Sequence, residues 1–320
     1  MSAVGIVLMF LLGLVLIIKG GDFFVDAASW IAEVSGIPKF LIGATIVSLA
    51  TTLPELLVSL MAAASGSIGI AVGNAVGSVT ANLGLIMGIC LVFAASGINR
   101  REQAPKFVMM LAAITMLYLF SMGGSLSVVA SVVILVLFAV NMGESILTAR
   151  KAMHDSSDDD KPARDRKTVT INMVKFVAGV AGIVIGARLL VDYGTELARL
   201  LGVPESIIGV TLVAIGTSLP ELVTTITAIA KKQASLSIGN IVGANIIDLT
   251  LILPLCSIVS GKALPILPQN FRLDMPVCLG LVVLAILPPL IKGKFYKWQG
   301  FAMLGAYVVY VVVLCTANFA

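Results

Sequence analysis

Residues 43–55 read Gly-Ala-Thr-Ile-Val-Ser-Leu-Ala-Thr-Thr-Leu-Pro-Glu, and residues 209–221 repeat them as Gly-Val-Thr-Leu-Val-Ala-Ile-Gly-Thr-Ser-Leu-Pro-Glu. The two glutamates are 221 − 55 = 166 positions apart. At this offset, without a gap, 15 of the 41 positions between Gly43 and Leu83 are identical to their counterparts. The matches include Pro, Glu, Asn and several Gly, which an apolar composition alone does not supply. The chain is therefore an internal duplication with one carboxylate in each copy of the motif.

The composition is that of a membrane protein. Of the 320 residues, 59 % are hydrophobic and 12 % are charged, which is far from the averages of soluble domains. A helix needs roughly 20 mostly apolar residues to cross a bilayer, and the chain offers several such stretches. We predict an all-α integral membrane protein with ten transmembrane helices, at about 3–30, 38–64, 68–97, 106–121, 124–148, 169–198, 205–230, 235–259, 274–291 and 298–317.

The duplication and the helix count together predict the topology. The first copy of the motif lies in the second predicted helix and the second copy in the seventh, so the two copies cross the membrane in opposite directions. Such inverted five-helix repeats are a transporter architecture. We expect the first repeat at residues 1–149, a polar linker at 150–168 and the second repeat at 169–320. The linker mixes both charges without EF-hand spacing, which favours a solvated connection over a calcium-sensing loop.

The basic residues predict the orientation. Of the 21 Lys and Arg residues, 15 fall on the side of the linker and 3 on the other side. This bias places the linker in the cytoplasm and both termini outside the cell membrane. The net charge of +4 is thus topogenic and gives no support for nucleic-acid binding. The four cysteines lie in or beside apolar runs, so we expect core residues and not disulfides or metal ligands.

A glutamate in the middle of a span is costly and indicates function. Glu55 and Glu221 each follow a proline, which removes the helical partner of the carbonyl four residues earlier. We expect each helix to break there and to line a polar cavity with the freed carbonyls. The other predicted oxygen ligands are hydroxyls, an amide and a carboxylate near the two motifs: Thr51, Thr52, Ser78, Asn82, Thr217, Ser218 and Asp248.

This donor set consists of oxygen alone. The absence of His and Cys disfavours transition metals, whereas Ca²⁺ takes about 6–8 oxygen ligands in a flexible cage. Two glutamates would neutralise one Ca²⁺, and Na⁺ could use the carbonyls and hydroxyls beside them; Mg²⁺ fits less well because it resists dehydration. We expect Ca²⁺, Na⁺ or H⁺, and the bilayer as partners, with no cofactor, nucleic acid or protein partner. An enzyme is disfavoured because no nucleophile–base dyad or phosphate-binding loop is present, and a passive channel suits inverted repeats less well than an exchanger.

Asp248, the counterpart of Asn82, breaks the symmetry between the copies. If it were ionised together with both glutamates, the site would carry more negative charge than one Ca²⁺ neutralises. We expect Asp248 to be protonated when Ca²⁺ is bound, or to accompany an additional cation or a transported proton. Other polar groups have structural interpretations: interhelical hydrogen bonds for Asn74 and Asn240, either role for Asn82, and ion pairs for Lys19–Asp22 and Arg188–Asp192.

The paired motifs resemble the sodium/calcium exchanger family in its compact prokaryotic form, over essentially the whole chain. They are Thr-Thr-Leu-Pro-Glu55 with Gly73-Asn-Ala-Val-Gly-Ser78, and Gly-Thr-Ser-Leu-Pro-Glu221 with Gly239-Asn-Ile-Val-Gly-Ala244. The resemblance implies antiport of Ca²⁺ against Na⁺ by alternating access. It also implies a set of ion ligands: Glu55, Glu221, Thr51 and Thr217 for Ca²⁺, hydroxyls and the carbonyls of Ser48 and Ala214 for Na⁺, and Asn82 and Asp248 facing the central site.

The chain departs from the family pattern at three positions. Ala244 stands where the pattern has a serine, which weakens one sodium position; Ala50 replaces a glycine, and Ser48 replaces an alanine and could add a hydroxyl. Gly77 occupies the place of a glutamate found in related proton-coupled calcium exchangers, which favours sodium coupling. The alternative function is a Ca²⁺/H⁺ or sodium-independent cation exchanger with Asp248 as the protonatable group.

Overall fold

The computed structural model describes residues 2–66, 68–155, 165–201, 216 and 218–316. Within them the chain is helical apart from two two-residue strands, and four short segments have π-helical geometry. The elements of the first half are α1 (Ala3–Ser35), α2 (Lys39–Ile42), π1 (Gly43–Val47), α3 (Ser48–Thr51), α4 (Leu53–Ala64), α5 (Ile68–Ala81), π2 (Asn82–Met87), α6 (Gly88–Ala94), α7 (Arg100–Phe120), β1 (Ser125–Leu126) and α8 (Val128–Asp155).

The second half follows the same plan. Its described elements are α9 (Arg166–Leu200), α10 (Leu219–Ala230), α11 (Ala234–Ile247), π3 (Asp248–Ile252), α12 (Leu253–Ser260), β2 (Leu264–Pro265), π4 (Asn270–Asp274), α13 (Met275–Lys292) and α14 (Lys297–Thr316). The two strands pair antiparallel, with Ser125 opposite Pro265 and Leu126 opposite Leu264. They join the α7–α8 connection of one half to the α12–α13 connection of the other.

The predicted all-α membrane fold is confirmed. Eight helices of the described chain are long and apolar enough to cross a membrane, and a ninth span results if the bent pair Lys39–Thr51 and Leu53–Ala64 counts as one. Of the predicted span 205–230, the described part consists of Gly216 and residues 218–230, so the count of ten stays a prediction. Helices α8 and α9 extend into the stretch predicted as the linker, ending at Asp155 and beginning at Arg166. The division into repeats also stays a prediction.

The distribution of polar and apolar side chains suits a bilayer. Many large apolar side chains face outward, among them Leu8, Val129 and Val309, while polar side chains such as Asn245 and Thr250 lie inside the bundle. Because lipid is as apolar as these outward residues, their exposure costs nothing in a membrane, and the polar interior stands out as the part with a specific task.

Helices α1 and α9 lie against each other in antiparallel fashion at backbone distance. A Cβ at Gly20 would lie 2.7 Å from the backbone nitrogen of Ile183, so only glycine allows this approach. One face of this pair packs, through a hydrophobic cluster that includes Phe24, Val25 and Val47, against the remaining helices. A second and larger apolar cluster fills the space among those remaining helices. The two-cluster arrangement makes the α1–α9 pair a unit beside the rest of the bundle.

Each half also has a link between ionisable side chains of its last two spans. Lys106 of α7 is fully buried, and its ammonium lies 2.6 Å from a carboxylate oxygen of Glu144 in α8. In the second half the phenol of Tyr310 in α14 donates to the carboxylate of Asp274 at 3.1 Å. Glu144 and Tyr310 are again 310 − 144 = 166 positions apart. The two links therefore occupy equivalent places with different chemistry.

Candidate ion-binding site

The first copy of the motif breaks its helix where the sequence predicts. Helix α4 turns by 46° from the preceding segment Lys39–Thr51. Thr52 lies at the break with φ −84° and ψ 0°, between α3 and α4, and Pro54 follows in the first turn of α4. Ser218, the counterpart of Thr52, has nearly the same backbone conformation, φ −88° and ψ 8°, just before Pro220 in α10. Both copies therefore begin a new helix at the same residue of the motif.

The two glutamates lie in the first turns of these new helices. Glu55 is in the first turn of α4 and Glu221 in the first turn of α10, and each is 1 % exposed. The first turn of a helix presents free N–H groups and the positive end of its dipole. Each carboxylate thus lies where the helix backbone favours negative charge, although the bundle interior is otherwise unfavourable for a charged group.

Two more predicted site residues begin π-helical segments. Asn82 is the first residue of π2 and Asp248 the first residue of π3, and both are buried. A π-helical turn inserts an extra residue and shifts the side chains that follow, and such turns are frequent at functional sites. The two π-helical segments therefore begin at equivalent positions of the duplicated sequence.

The copies touch each other through the hydroxyls of the first motif. Thr51 donates to the amide oxygen of Asn240 in α11 at 3.1 Å. Thr52 donates to the carbonyl of Ser48 at 2.6 Å, and its Oγ1 lies 3.5 Å from Oε1 of Glu221, at the limit of a hydrogen bond. Because a hydroxyl has one hydrogen, the carbonyl takes it and the oxygen of Thr52 remains available beside Glu221.

Most carboxylate oxygens of the site lack hydrogen-bond partners. Glu55 lies within electrostatic range of both Glu221 and Asp248, and like charges in a buried space repel. A buried oxygen without a partner costs about 1–3 kcal/mol, and more when it is charged. Within the described part of the chain the buried oxygens without a partner include Glu55 Oε1 and Oε2, Glu221 Oε2, Asp248 Oδ1 and Oδ2, Asn82 Oδ1 and Ser218 Oγ.

These oxygens without partners are of the kinds that bind hard cations. Carboxylate, amide and hydroxyl oxygens are what Ca²⁺ and Na⁺ accept, and they offer nothing specific to a soft metal. Across the described ranges, no three His, Cys, Asp or Glu side chains gather as a metal-binding group. A cation here would therefore be shared between carboxylates and neutral oxygens and not enclosed by acids alone.

Of the remaining predicted ligands, two lie within the described residues and two lie outside them. Ser48 and Ser78 are buried, and the hydroxyl of Ser48 donates to the carbonyl of Thr45 at 3.1 Å. Ala244, which replaces the expected serine, is also fully buried, so the missing hydroxyl leaves an apolar surface at that point. Thr217 and Ala214 lie outside the described residues.

The predicted interhelical role of the two asparagines is confirmed, with an unexpected partner. Asn74 donates to the hydroxyl of Ser59 at 2.9 Å and to the carbonyl of Glu55 at 3.4 Å, and so ties α5 to α4. Asn240 instead accepts from Thr51 of the other copy, and its Nδ2 has no partner in the described chain. No feature of the sequence distinguishes Asn240 from Asn74, so this cross-copy bond was not predictable.

The ion pairs near the membrane faces differ in part from the prediction. Arg188 pairs with Asp192 as predicted, at 3.6 Å. Lys231, in the α10–α11 turn, lies 2.7 Å from Oδ1 of Asp26 and 3.4 Å from Oδ1 of Asp22, a partner that sequence spacing does not suggest for either acid. Partial burial by itself would lower the pKa of Lys231, but the contacts with Asp26 and Asp22 outweigh it and raise the pKa.

Comparisons with known proteins agree with this geometry. The family model described as "Sodium/calcium exchanger protein" matches residues 5–146 and 171–316. The sodium/calcium exchanger MaX1 of Methanosarcina acetivorans is 29 % identical, over 96 % of this chain and 97 % of its own. The inner membrane protein YrbG of Escherichia coli is 30 % identical over 95 % of each chain.

A solved structure is also similar over nearly the full length. The sodium-calcium exchanger NCX_Mj superimposes with a TM-score of 0.82 at 29 % identity, over 98 % of this chain and 99 % of that one. The all-α membrane fold is thus of the NCX_Mj type. The family model covers both copies of the motif, including the two glutamates. The chain therefore belongs to the sodium/calcium exchanger protein family.

Proposed function

We propose that this chain exchanges Ca²⁺ for Na⁺ across the membrane by alternating access, with Ca²⁺ held between Glu55 and Glu221. Cation/Ca²⁺ exchange is the activity of the family to which the chain belongs. The observation that carries the finer proposal is the set of buried oxygens without partners, contributed by both halves of the chain. In the absence of a cation these groups repel each other and lack solvent, so a bound cation relieves both costs.

The proposed division of labour follows from charge. Two carboxylates compensate the double charge of Ca²⁺, and the hydroxyls of Thr51 and Thr217 complete its shell with neutral oxygens. Na⁺ carries half the charge and is held at flanking positions by hydroxyls and by the carbonyls of Ser48 and Ala214. The two ions compete because they share the glutamates, and that competition couples their movements. The chemistry requires no cofactor.

We further propose ten spans arranged as two inverted five-helix repeats, with the linker in the cytoplasm and both termini outside. The constant offset of 166 between equivalent residues supports the repeat, and the antiparallel packing of α1 on α9, one from each half, supports the inversion. Inverted repeats around a site at mid-membrane permit access from either side in turn, because each half can adopt the conformation of the other.

A second candidate is Ca²⁺/H⁺ or sodium-independent exchange with Asp248 as the protonatable group. It is favoured by one observation: both carboxylate oxygens of Asp248 are buried and without a partner in the described chain. A proton satisfies a buried carboxylate as well as a metal ion does. The missing hydroxyl at Ala244 weakens one sodium position and so favours this candidate further.

The test is ⁴⁵Ca²⁺ uptake into proteoliposomes containing the purified chain. An outward Na⁺ gradient, an outward H⁺ gradient and no gradient are compared at the same external Ca²⁺ concentration. We expect uptake with the Na⁺ gradient, and its loss in Glu55→Gln and Glu221→Gln. Uptake driven only by H⁺ favours the second candidate, and uptake indifferent to both gradients counts against exchange altogether.

A further inference from the structure

Helices α1 and α10 are in close contact near one end of the bundle. This end, the linker face, is the one at which α8 ends and α9 begins. Here Gly21 of α1 lies so close to α10 that a Cβ on it would be 2.9 Å from Oγ1 of Thr227 and 3.1 Å from Cγ1 of Val223. The two helices are therefore in direct contact at this point.

At the opposite face, the equivalent residues line a cavity. The counterparts of Gly21, Val223 and Thr227 at the 166-residue offset are Ala187, Leu57 and Met61. These three residues line a cavity of about 470 Å³ between α9 and α4, whose lining also includes Pro54 and Pro220 of the two motifs. The structure therefore has a close helix contact near one end and a cavity near the other, at positions that the duplication makes equivalent. We refer to the two ends as the closed and the open face.

The charges at the two ends are not equivalent. At the closed linker face, Lys231 of the α10–α11 turn reaches across to Asp22 and Asp26 of α1. At the open face the counterparts of Asp22 and Asp26 are Arg188 and Asp192, which pair with each other along α9. The counterpart of Lys231 is Ser65, which has no charge. Closure of the open end would therefore form no ion pair of this kind.

We propose that Lys231, Asp22 and Asp26 form a clasp that favours the conformation closed at the linker face and open at the opposite face. The inference rests on the proposed alternating access, in which the two ends exchange their conformations. In the other conformation, α1 is separated from α10 in the way that α9 is separated from α4 in this structure. Lys231 then loses its contacts with Asp22 and Asp26, and no equivalent ion pair forms at the other end. The clasp thus biases the equilibrium in one direction. It is partly exposed to solvent, so we expect a modest bias, about three- to fivefold.

The test is the reactivity of two matched cysteines with a soluble maleimide, in detergent-purified protein that carries Cys315→Ser. Leu57→Cys reports on the open cavity and Val223→Cys, its counterpart, on the closed contact. In Lys231→Gln we expect faster labelling at position 223 and slower labelling at position 57, with the ratio of the two rates rising about three- to fivefold. Lys231→Arg should keep the original rates because it restores the charge. Lys232→Gln, which removes the neighbouring charge of the same turn, is the matched control.

A mirror variant tests the same idea without removing anything from the linker face. Ser65→Lys with Arg188→Asp places at the open face the three charges that form the clasp, and we expect faster labelling at position 223 and slower labelling at position 57. Unchanged rates in both Lys231→Gln and the mirror variant would overturn the clasp, as would equal effects of Lys231→Gln and Lys232→Gln. Na⁺-driven ⁴⁵Ca²⁺ uptake of the unmodified chain tests the proposed function separately: uptake with unchanged labelling rejects the clasp alone, and altered labelling without uptake supports the clasp and rejects the exchange.

Discussion

Each half of the site contains one glutamate, but the residues around the two glutamates differ. The first half carries Ser78 and Asn82 in the span that follows the motif, whereas the second half carries Ala244 and Asp248 at the same places. One hydroxyl has been lost and one carboxylate gained. The backbone differs less: both halves begin a helix at the same residue of the motif and begin a π-helical segment at the same position. The duplication thus preserves the backbone positions of these side chains, while their chemistry differs.

The glutamates themselves are also in different surroundings. Both carboxylate oxygens of Glu55 are without a partner in the described chain, whereas Oε1 of Glu221 has the hydroxyl of Thr52 beside it. That hydroxyl comes from the first half, so one half supplies part of the surroundings of the other's carboxylate. Each of the following changes makes the halves more alike or more different, and the response shows which differences matter.

The largest effect is expected from removing either glutamate charge. In Glu55→Gln and in Glu221→Gln we expect Na⁺-driven Ca²⁺ uptake to fall by at least about 100-fold, equivalent to about 2.7 kcal/mol, because a single carboxylate cannot compensate Ca²⁺ in a buried site. Glu33→Gln, which removes an exposed acid paired with Lys39, should leave uptake unchanged. Loss in only one of the two variants would contradict a cation shared between the halves.

Removal of the Glu55 charge should increase the thermal stability of the protein although it abolishes uptake. Without Ca²⁺, Glu55→Gln should raise the melting temperature, since it removes a charged group that lacks partners and repels its neighbours. The melting temperature of the unmodified chain should rise on addition of Ca²⁺, and that of the variant should not. A variant that melts lower and still gains from Ca²⁺ would argue that Glu55 is a structural residue.

The polar links between the last two spans provide a second contrast between the halves. Lys106→Met leaves Glu144 without its cation, and since Glu144 is 27 % exposed we expect a loss of about 2 kcal/mol in the free energy of unfolding, below the cost for a fully buried pair. Tyr310→Phe removes one of three donors to Asp274, and we expect about 1 kcal/mol. Unfolding followed by tryptophan fluorescence in detergent measures both, and equal losses would mean that the charge in the first half contributes nothing extra.

Asp248→Asn makes the second half like the first. It removes the third negative charge, and with it the means of accompanying an additional cation or proton, so we expect uptake to fall by about tenfold. The dependence of uptake on pH should become flatter, because an amide mimics the protonated acid at every pH. Uptake measured as a function of pH under a fixed Na⁺ gradient checks both effects. Unchanged pH and ion dependence would remove Asp248 from the coupling mechanism.

Much of this arrangement could be predicted from the sequence because the duplication is visible in it. The membrane class, the broken helix at Pro54, the buried glutamates and the oxygen-only chemistry follow from residue types and spacing. The contacts that join the halves could not be predicted: Thr51 to Asn240 and Lys231 to Asp26 are separated by about two hundred residues and depend on how the halves pack. Nor could the π-helical starts at Asn82 and Asp248, since a single inserted residue leaves hydrophobic periodicity almost unchanged.

Ala244→Ser tests the smallest of these differences, one hydroxyl. The side chain of Ala244 is fully buried and lies four residues before Asp248, so a serine there would present its oxygen on the same helical face as that carboxylate. We expect the Na⁺ concentration for half-maximal exchange to fall by about three- to fivefold, the contribution of one neutral oxygen ligand, with little change in the corresponding Ca²⁺ value. Ser78→Ala is the matched change in the other half and should raise the Na⁺ value by a similar factor. If neither substitution moves the Na⁺ dependence, the hydroxyls at these two positions do not bind sodium, and the asymmetry between the halves is confined to Asp248.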